Sequence, residues 1–468
     1  VRVAAVAGLL LALVASAVHG DVGGAVPAIQ SLDPTVIGDP ASPYEASYRA
    51  LAFLNSYAPI FLVAFLVTLC ATPLVRRVAV SLEIIDKPDQ TRKLHKFPIA
   101  YLGGFAVFLG VVAAIIFSLF LMQGPAGQFA PVPIAVVLGI LVITFTGLAD
   151  DTWGWDPRLK VAGQLVAAAA LALENVGVRV AEGALAHFLG PADETLFTVG
   201  TLVVQNASLY YWVGTAIIAI FVLGGCNATN LIDGLDGLLS GTIAIMMVGF
   251  LAVSLMMATV EDIADPTTSL AGARIVLCIA TLGAVLGFLP WNFNPAVIFL
   301  GDCGSLLLGY LSVVVILMFG EDGQTHLVIA GLVIFALPIM DTCLAILRRK
   351  LAGVPFSTAD SNHIHHQLRR ALGGVKRAVF ALYGIAIAFS LVGTGIAAMV
   401  LYSVVRLQVA YAIAIVLFAF IAAIAIKAAR RQQWESAIGA ASGTQAPAQA
   451  SGQGSTTTTQ VPADMTRL

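Results

Sequence analysis

Unbroken apolar stretches long enough to cross a bilayer recur along most of this chain. The runs 105–122, 243–257, 275–289, 378–405 and 410–426 carry no charged residue. A helix through a hydrocarbon core of ~30 Å needs ~20 such residues, and several runs reach that length with their flanks. In lipid every backbone N–H and C=O must find a partner inside the protein, which leaves helices or closed barrels. A barrel would show short alternating strands instead. The chain therefore reads as an all-α polytopic membrane protein. Composition agrees: 59% of the 468 residues are hydrophobic and 11% are charged, where a soluble domain has about 25% charged.

About eleven transmembrane helices are expected after Tyr57, near 58–76, 102–122, 132–149, 160–176, 211–227, 238–258, 270–289, 304–320, 326–347, 378–402 and 407–427. If the first runs from outside to inside, the inside segments hold 18 of the 24 Lys and Arg. The exceptions are Arg2, Arg49, Arg179, Arg274, Arg406 and Arg467. That bias fixes the orientation by the positive-inside rule. Residues 1–57 read as a targeting segment, a cleaved signal or an uncleaved anchor, followed by a stretch outside. Arg2, an apolar run and Ala15-Ser16-Ala17 carry that reading. The transmembrane domain spans 58–427. Residues 428–468 form a cytoplasmic tail whose Ser, Thr, Gly, Gln and Pro content predicts disorder.

A net charge of −2 gives no field that would draw in nucleic acid. The five cysteines show no CxxC spacing and sit mostly in apolar runs, as buried small hydrophobes.

Five polar clusters interrupt the apolar sequence, and the orientation above places all of them at inside helix ends. Ionisable groups near lipid are costly and mark function by default. Asp150-Asp151 closes the third span, against the helix dipole. Adjacent carboxylates there suit a divalent metal or a metal with a base. Between the fifth and sixth spans lie Asn227, Asn230, Asp233 and Asp236, three residues apart and on one helical face in pairs. Gly301-Asp302-Cys303-Gly304-Ser305 opens the eighth span, where Asp302 and Ser305 fit a cap and a first-turn residue. Exposed amides at such a terminus also bind phosphate. Asp360, His363, His365 and His366 lie in a basic loop. Their spacing is not that of a zinc motif, so phosphate or nucleotide contact is the better reading. Arg92, Lys93 and His95, ahead of Gly103-Gly104, suit a polyanion, although juxtamembrane cations are also ordinary lipid-headgroup anchors.

In this order the clusters resemble the signatures of the bacterial polyprenyl-phosphate N-acetylhexosamine-1-phosphate transferases, from about Asp86 to Leu368. Asp150-Asp151 resembles the family's aspartate pair. Asn230-Leu-Ile-Asp233-Gly-Leu-Asp236 resembles its nucleotide- and metal-side loop. Gly301-Asp302-Cys303-Gly304-Ser305 resembles its G-D-x-G-S signature, and His363-Ile-His365-His366 the H-I-H-H of the GlcNAc-type branch. The translocase branch of peptidoglycan synthesis tends to carry consecutive histidines.

The resemblance implies transfer of a sugar 1-phosphate, GlcNAc-1-phosphate first, from a UDP-N-acetylhexosamine to undecaprenyl phosphate with release of UMP. It implies a multi-pass enzyme of the bacterial inner membrane with cytoplasmic active-site loops, lipid as surroundings, and admits a homodimer. The implied cofactor is Mg²⁺, with Mn²⁺ as a substitute. Asp302 would bind it directly, with Asp151 and Asn227 completing or orienting the shell. Asp150, Asp151, Asp233 and Asp236 would carry the chemistry. Asn230, His363, His365, His366, Arg92, Lys93 and His95 would hold the substrates. The alternative within the family is phospho-MurNAc-pentapeptide transfer. A transporter would instead keep its charges near the bilayer midplane. A CDP-alcohol phosphatidyltransferase would need D-G-x-x-A-R, and Asp233-Gly-Leu-Asp-Gly-Leu lacks the Ala-Arg.

Overall fold

The computed structural model describes residues 43–86, 98–121, 131–199, 202–260, 270–321, 323–353 and 363–404, with scattered helical residues between 408 and 427. The targeting segment, the tail, and Arg92, Lys93 and His95 lie outside the described residues.

The described residues are helical almost throughout. Its helices are α1 (Pro43–Ser81), α2 (Gly103–Leu121), α3 (Ile134–Trp153), α4 (Pro157–Leu173), α5 (Arg179–Leu189), α6 (Asn206–Ile232), α7 (Leu238–Val260), α8 (Ala271–Asn292), α9 (Gly301–Met318), α10 (Thr325–Ile334), α11 (Ala336–Ala352), α12 (Ile364–Leu372) and α13 (Val375–Leu401). Two small antiparallel ribbons complete the described part. One pairs β1 (Ile85–Asp86) with β2 (Ile99–Ala100), and the other is a hairpin of β3 (Thr195–Val199) and β4 (Leu202–Gln205).

Among the described residues eight helices are long and apolar enough to span a membrane: most of α1, then α2, α3, α6, α7, α8, α9 and α13. The helix pair α10 and α11, bent by 76° at a short break, makes a ninth when counted as one span. The expected fourth span is α4, whose 17 residues rise only ~25 Å. The expected eleventh falls in the sparsely described region after Val404. This is a multi-pass membrane protein.

The centre of the bundle is α9, buried from Cys303 to Met318 and packed against α2, α3, α6 and α8. Lipid offers no hydrophobic drive between helices, so close backbone approach must supply the packing. Glycines provide it. A Cβ on Gly309 would meet the backbone and Thr229 of α6, and one on Gly283 or Gly287 would meet the α1 backbone. Thr229 Oγ1 also donates across to Ser305 O at 2.8 Å. Helices α3, α6 and α8 end where α4, α7 and α9 begin, so their polar termini gather at one end of the bundle.

Candidate active site

That end is built around the first turn of α9. Its capping residue is Leu300, which has no side-chain acceptor. Asp151, in the last turn of α3, supplies one from across the bundle. Asp302 N–H donates to Asp151 Oδ1 at 2.8 Å, and Cys303 N–H donates to Oδ2 at 3.0 Å. A carboxylate is unfavourable at its own helix's C-terminus and favourable at another's N-terminus, and here the second effect offsets the first. Asp302 therefore does not cap its helix, as the sequence suggested; Asp151 caps it in trans.

Close approach makes this contact possible. A Cβ on Gly147 would collide with the Cys303 backbone, and one on Gly104 with Gly304. Gly301 itself has φ +73°, a left-handed conformation that disfavours any side chain.

Relieved of capping, the Asp302 side chain turns to charge. Lys160 Nζ lies 2.6 Å from Asp302 Oδ2 and 2.7 Å from Asp150 Oδ2, with all three side chains mostly buried. Lys160 stands one turn into α4, whose start is fixed by Pro157 and by Asp156, which accepts Arg158 N–H at 2.7 Å. The other Asp302 oxygen, Oδ1, accepts Asn230 Nδ2–H at 2.8 Å, and Asn230 also donates to Ser305 Oγ at 3.0 Å. Both Asn230 amide hydrogens are thus used, which leaves its oxygen for any further partner. One turn earlier Asn227 donates to Leu223 O and to the buried Gln164 Oε1, so it too keeps only an oxygen.

Asp233 follows α6 directly, half-buried. Burial, then the negative charges of Asp302, Asp151 and Asp236, push its pKa up to about 8. Asp236 Oδ2 accepts from Asn294 Nδ2 at 2.8 Å and from Ala296 N–H at 3.0 Å, which ties this loop to the approach to α9. The first polar cluster enters through β1. Asp86 bonds the Tyr101 hydroxyl, and burial with the nearby carboxylates, Asp151 and Asp302 among them, raises the Tyr101 pKa. Phe299 N–H donates to Ala100 O, and Gly103 N–H to Phe299 O, joining this ribbon to the strand before α9.

The histidines sit beside the same loop. His365 is 2% exposed and lies where a Cβ on Gly234 would need to go. Burial, then the neighbouring His366, lower its pKa to about 3, so it is a neutral ring at neutral pH. His363 stacks on it with ring centroids 5.5 Å apart.

The structure brings Asp150, Asp151, Asn227, Asn230, Asp233, Asp236, Asp302, His363, His365 and His366 to one end of the bundle. Three residues there were missed as site residues: Lys160, Gln164 and Asp341. Lys160 reads in sequence as a topological cation. Asp341 carried the better signal, a lone carboxyl inside an apolar run.

The family model of glycosyl transferase family 4 matches residues 133–320, from the start of α3 past the end of α9. A probable undecaprenyl-phosphate N-acetylglucosaminyl 1-phosphate transferase of Bacillus subtilis is 30% identical over 336 residues, 71% of this chain and 82% of that protein. The chain belongs to this family. A decaprenyl-phosphate N-acetylglucosaminephosphotransferase of Mycobacterium leprae is 34% identical over 346 residues, 70% of this chain and 81% of its own. A phospho-N-acetylmuramoyl-pentapeptide-transferase of Bacillus cytotoxicus is 28% identical over 323 residues, 65% of this chain and 87% of its own. The family match covers the carboxylate core and stops before the histidine loop, which reaches the core's edge at Gly234.

Proposed function

We propose that this enzyme transfers N-acetylglucosamine 1-phosphate from a UDP-sugar to undecaprenyl phosphate and releases UMP, with its site on the cytoplasmic side of a bacterial inner membrane. The observation that carries the reading is the convergence of Asp150, Lys160, Asn230 and Asp302 from four helices on one point. The basic inside segments support the sidedness, and the apolar helices beside the site suit a polyprenyl acceptor. The transferase domain is residues 58–427.

The reaction brings two phosphates together, so charge neutralisation dominates its barrier. An oxygen of the lipid phosphate attacks the β-phosphorus of the UDP-sugar. The bond from that phosphorus to the bridging oxygen breaks, and UMP leaves. Asp150 takes up the proton if the acceptor arrives protonated; a phosphate monoester loses its second proton near pH ~6, so the need is modest. Asp233, held near neutrality in its pKa, is placed to hold or return a proton beside the leaving phosphate. Lys160 offers a cation to whichever phosphate displaces it from Asp302. The rings of His363, His365 and His366, with Asn230, hold the donor's diphosphate. Arg92, Lys93 and His95, outside the described residues, are assigned to phosphate by their charge and their place in the sequence.

The residues fit Mg²⁺. Among the described residues no three His, Cys, Asp or Glu side chains form a metal site by themselves. Mg²⁺ needs only one or two protein carboxylates beside substrate phosphates. The donors are hard oxygens, and the Lys160 ammonium already stands between two of them. Asp302 would hold the ion, with the Asn227 and Asn230 oxygens available to it and Asp151 orienting the turn that carries Asp302. When bound, Mg²⁺ supplies neutralisation of the diphosphate and polarisation of the attacked phosphorus.

The test is to incubate membranes containing the protein with radiolabelled UDP-GlcNAc and undecaprenyl phosphate. Label should enter a lipid diphosphate, with one UMP released per lipid. If only UDP-MurNAc-pentapeptide serves as donor, the chain belongs to the other branch. If neither labels lipid, the reading fails.

A further inference from the structure

Helix α11 carries no charged residue before its basic last turns except Asp341, whose side chain is fully buried. A buried carboxyl without partners would cost several kcal/mol, so its contacts explain its presence. Both of its oxygens reach the start of α12. Oδ1 accepts Ile364 N–H at 2.8 Å, and Oδ2 lies 2.9 Å from His363 Nδ1. His363 is the capping residue of α12 and makes no side-chain cap of its own. Asp341 thus caps α12 in trans, as Asp151 caps α9.

The second contact decides the state of a ring. An ionised carboxylate only accepts hydrogen bonds, so His363 Nδ1 must carry a hydrogen and Nε2 is left for other partners. The ring is nearly parallel to His365, at 8°, and His365 rests on Gly234. A continuous line therefore runs from Asp341 through His363 and His365 to the backbone between Asp233 and Asp236. Among the described residues, no carboxylate of the core hydrogen-bonds these rings. The Nδ1 atoms of His365 and His366 are buried without a hydrogen-bond partner, so the ring order depends on packing and on Asp341.

We infer that Asp341 is a positioning residue: it fixes His363 in the Nδ1–H tautomer and sets the histidine ladder against the Asp233–Asp236 loop, so that the ladder can receive the donor's diphosphate. The tautomer part stands on geometry alone; the donor part rests on the transferase reading above.

The experiment uses the full chain in lipid nanodiscs, with ¹⁵N-labelled histidine and a His363→Gln variant to assign the signal. In the wild type, His363 Nδ1 should resonate as a protonated ring nitrogen and Nε2 as an unprotonated one near pH 7.5. In Asp341→Asn, whose amide cannot accept at both contacts, that pattern should be lost. With UDP-GlcNAc and undecaprenyl phosphate, Asp341→Asn should raise the donor KM about 10- to 100-fold, the range typical of residues that orient a ligand. The acceptor KM should stay within about twofold, which a general loss of structure would not give. Asp341→Glu, which keeps an acceptor, should recover part of the donor KM. An Nε2–H tautomer in the wild type overturns the proposal whatever the variants do. So does an unchanged donor KM in Asp341→Asn, or equal rises in both KM values. Wild-type protein that shows the predicted tautomer but transfers nothing to lipid refutes the transferase reading and leaves the Asp341–His363 assignment standing.

Discussion

The carboxylate core and the histidine ladder meet at the Asp233–Asp236 loop, yet they are held in different ways. The core is fixed at backbone level. Asp151 takes two N–H groups of α9, and Gly104 and Gly147 let two other helices touch the Cys303-Gly304 backbone. The ladder is held by side chains: one buried carboxyl, two stacked rings and a glycine surface. A site that must bring two anions together needs its charges preorganised, and the rigid region is where the charges are. The side-chain-held region can adjust to a nucleotide that enters and a product that leaves. Breaking the core should therefore cost catalysis outright, and loosening the ladder should cost donor binding first.

The largest effect is expected in the core. Asp302→Ala and Asp150→Asn should each reduce transfer by about 10³-fold or more, the scale seen when preorganised charge is removed from phosphoryl transfer or acyl transfer sites. Expression and detergent-extracted yield should be unchanged. Near-normal turnover of either variant, measured as radiolabelled lipid, would remove that residue from the site and with it the contrast between the two regions.

Lys160→Met comes next. It leaves Asp150 and Asp302 facing each other without their shared cation, so turnover should fall by about 10²-fold. Part of that loss should return as Mg²⁺ is raised, because an added cation replaces the lost one. A loss that ignores Mg²⁺ across a titration would show that Lys160 acts on substrate alone.

Gly147→Ala tests the rigidity directly. Its new Cβ would overlap the Cys303 backbone, and overpacking of this kind costs about 1–3 kcal/mol. The thermal unfolding midpoint should drop, and turnover should fall with it because Asp302 rides on the displaced turn. The same substitution at Gly384, where a Cβ meets nothing, should change neither.

Much of this was legible in the sequence because lipid makes polarity informative. A carboxylate in an apolar run stands out, and Asp150, Asp151, Asn230 and Asp302 do converge. The membrane helices were legible for the same reason, though not all of their ends. What the sequence could not show was which carboxylate does what. The dipole argument marked the Asp150-Asp151 pair as functional without separating its members, and in the structure both Asp151 oxygens accept from the first turn of α9. Capping in trans has no local pattern, because donor and acceptor lie about 150 residues apart. Lys160 was hidden among the cations that set topology, and only its distance to Asp302 separates it from them. The short α4 and the bent α10–α11 pair were each read as full spans, since hydropathy reports apolar length and not where a helix stops or turns.

The smallest expected effect is a pH dependence to which the loop where the two regions meet contributes. Asp233 is raised to about 8 in the fold, where a free aspartate titrates near ~4. Between those values the folded protein holds a proton that the unfolded chain has released. Stability from this group is therefore full below about pH 4 and is lost as pH rises through about 8. Metal-free protein should unfold at a lower temperature at pH 8.5 than at pH 6, and Asp233→Asn should reduce that difference because its amide does not titrate. Added Mg²⁺ and donor bring in charge that favours the ionised form, so they should also reduce it in the wild type. If Asp233→Asn keeps the full slope, the titrating group lies elsewhere, and the carboxylate core extends its field less far into the ladder's loop than its geometry indicates.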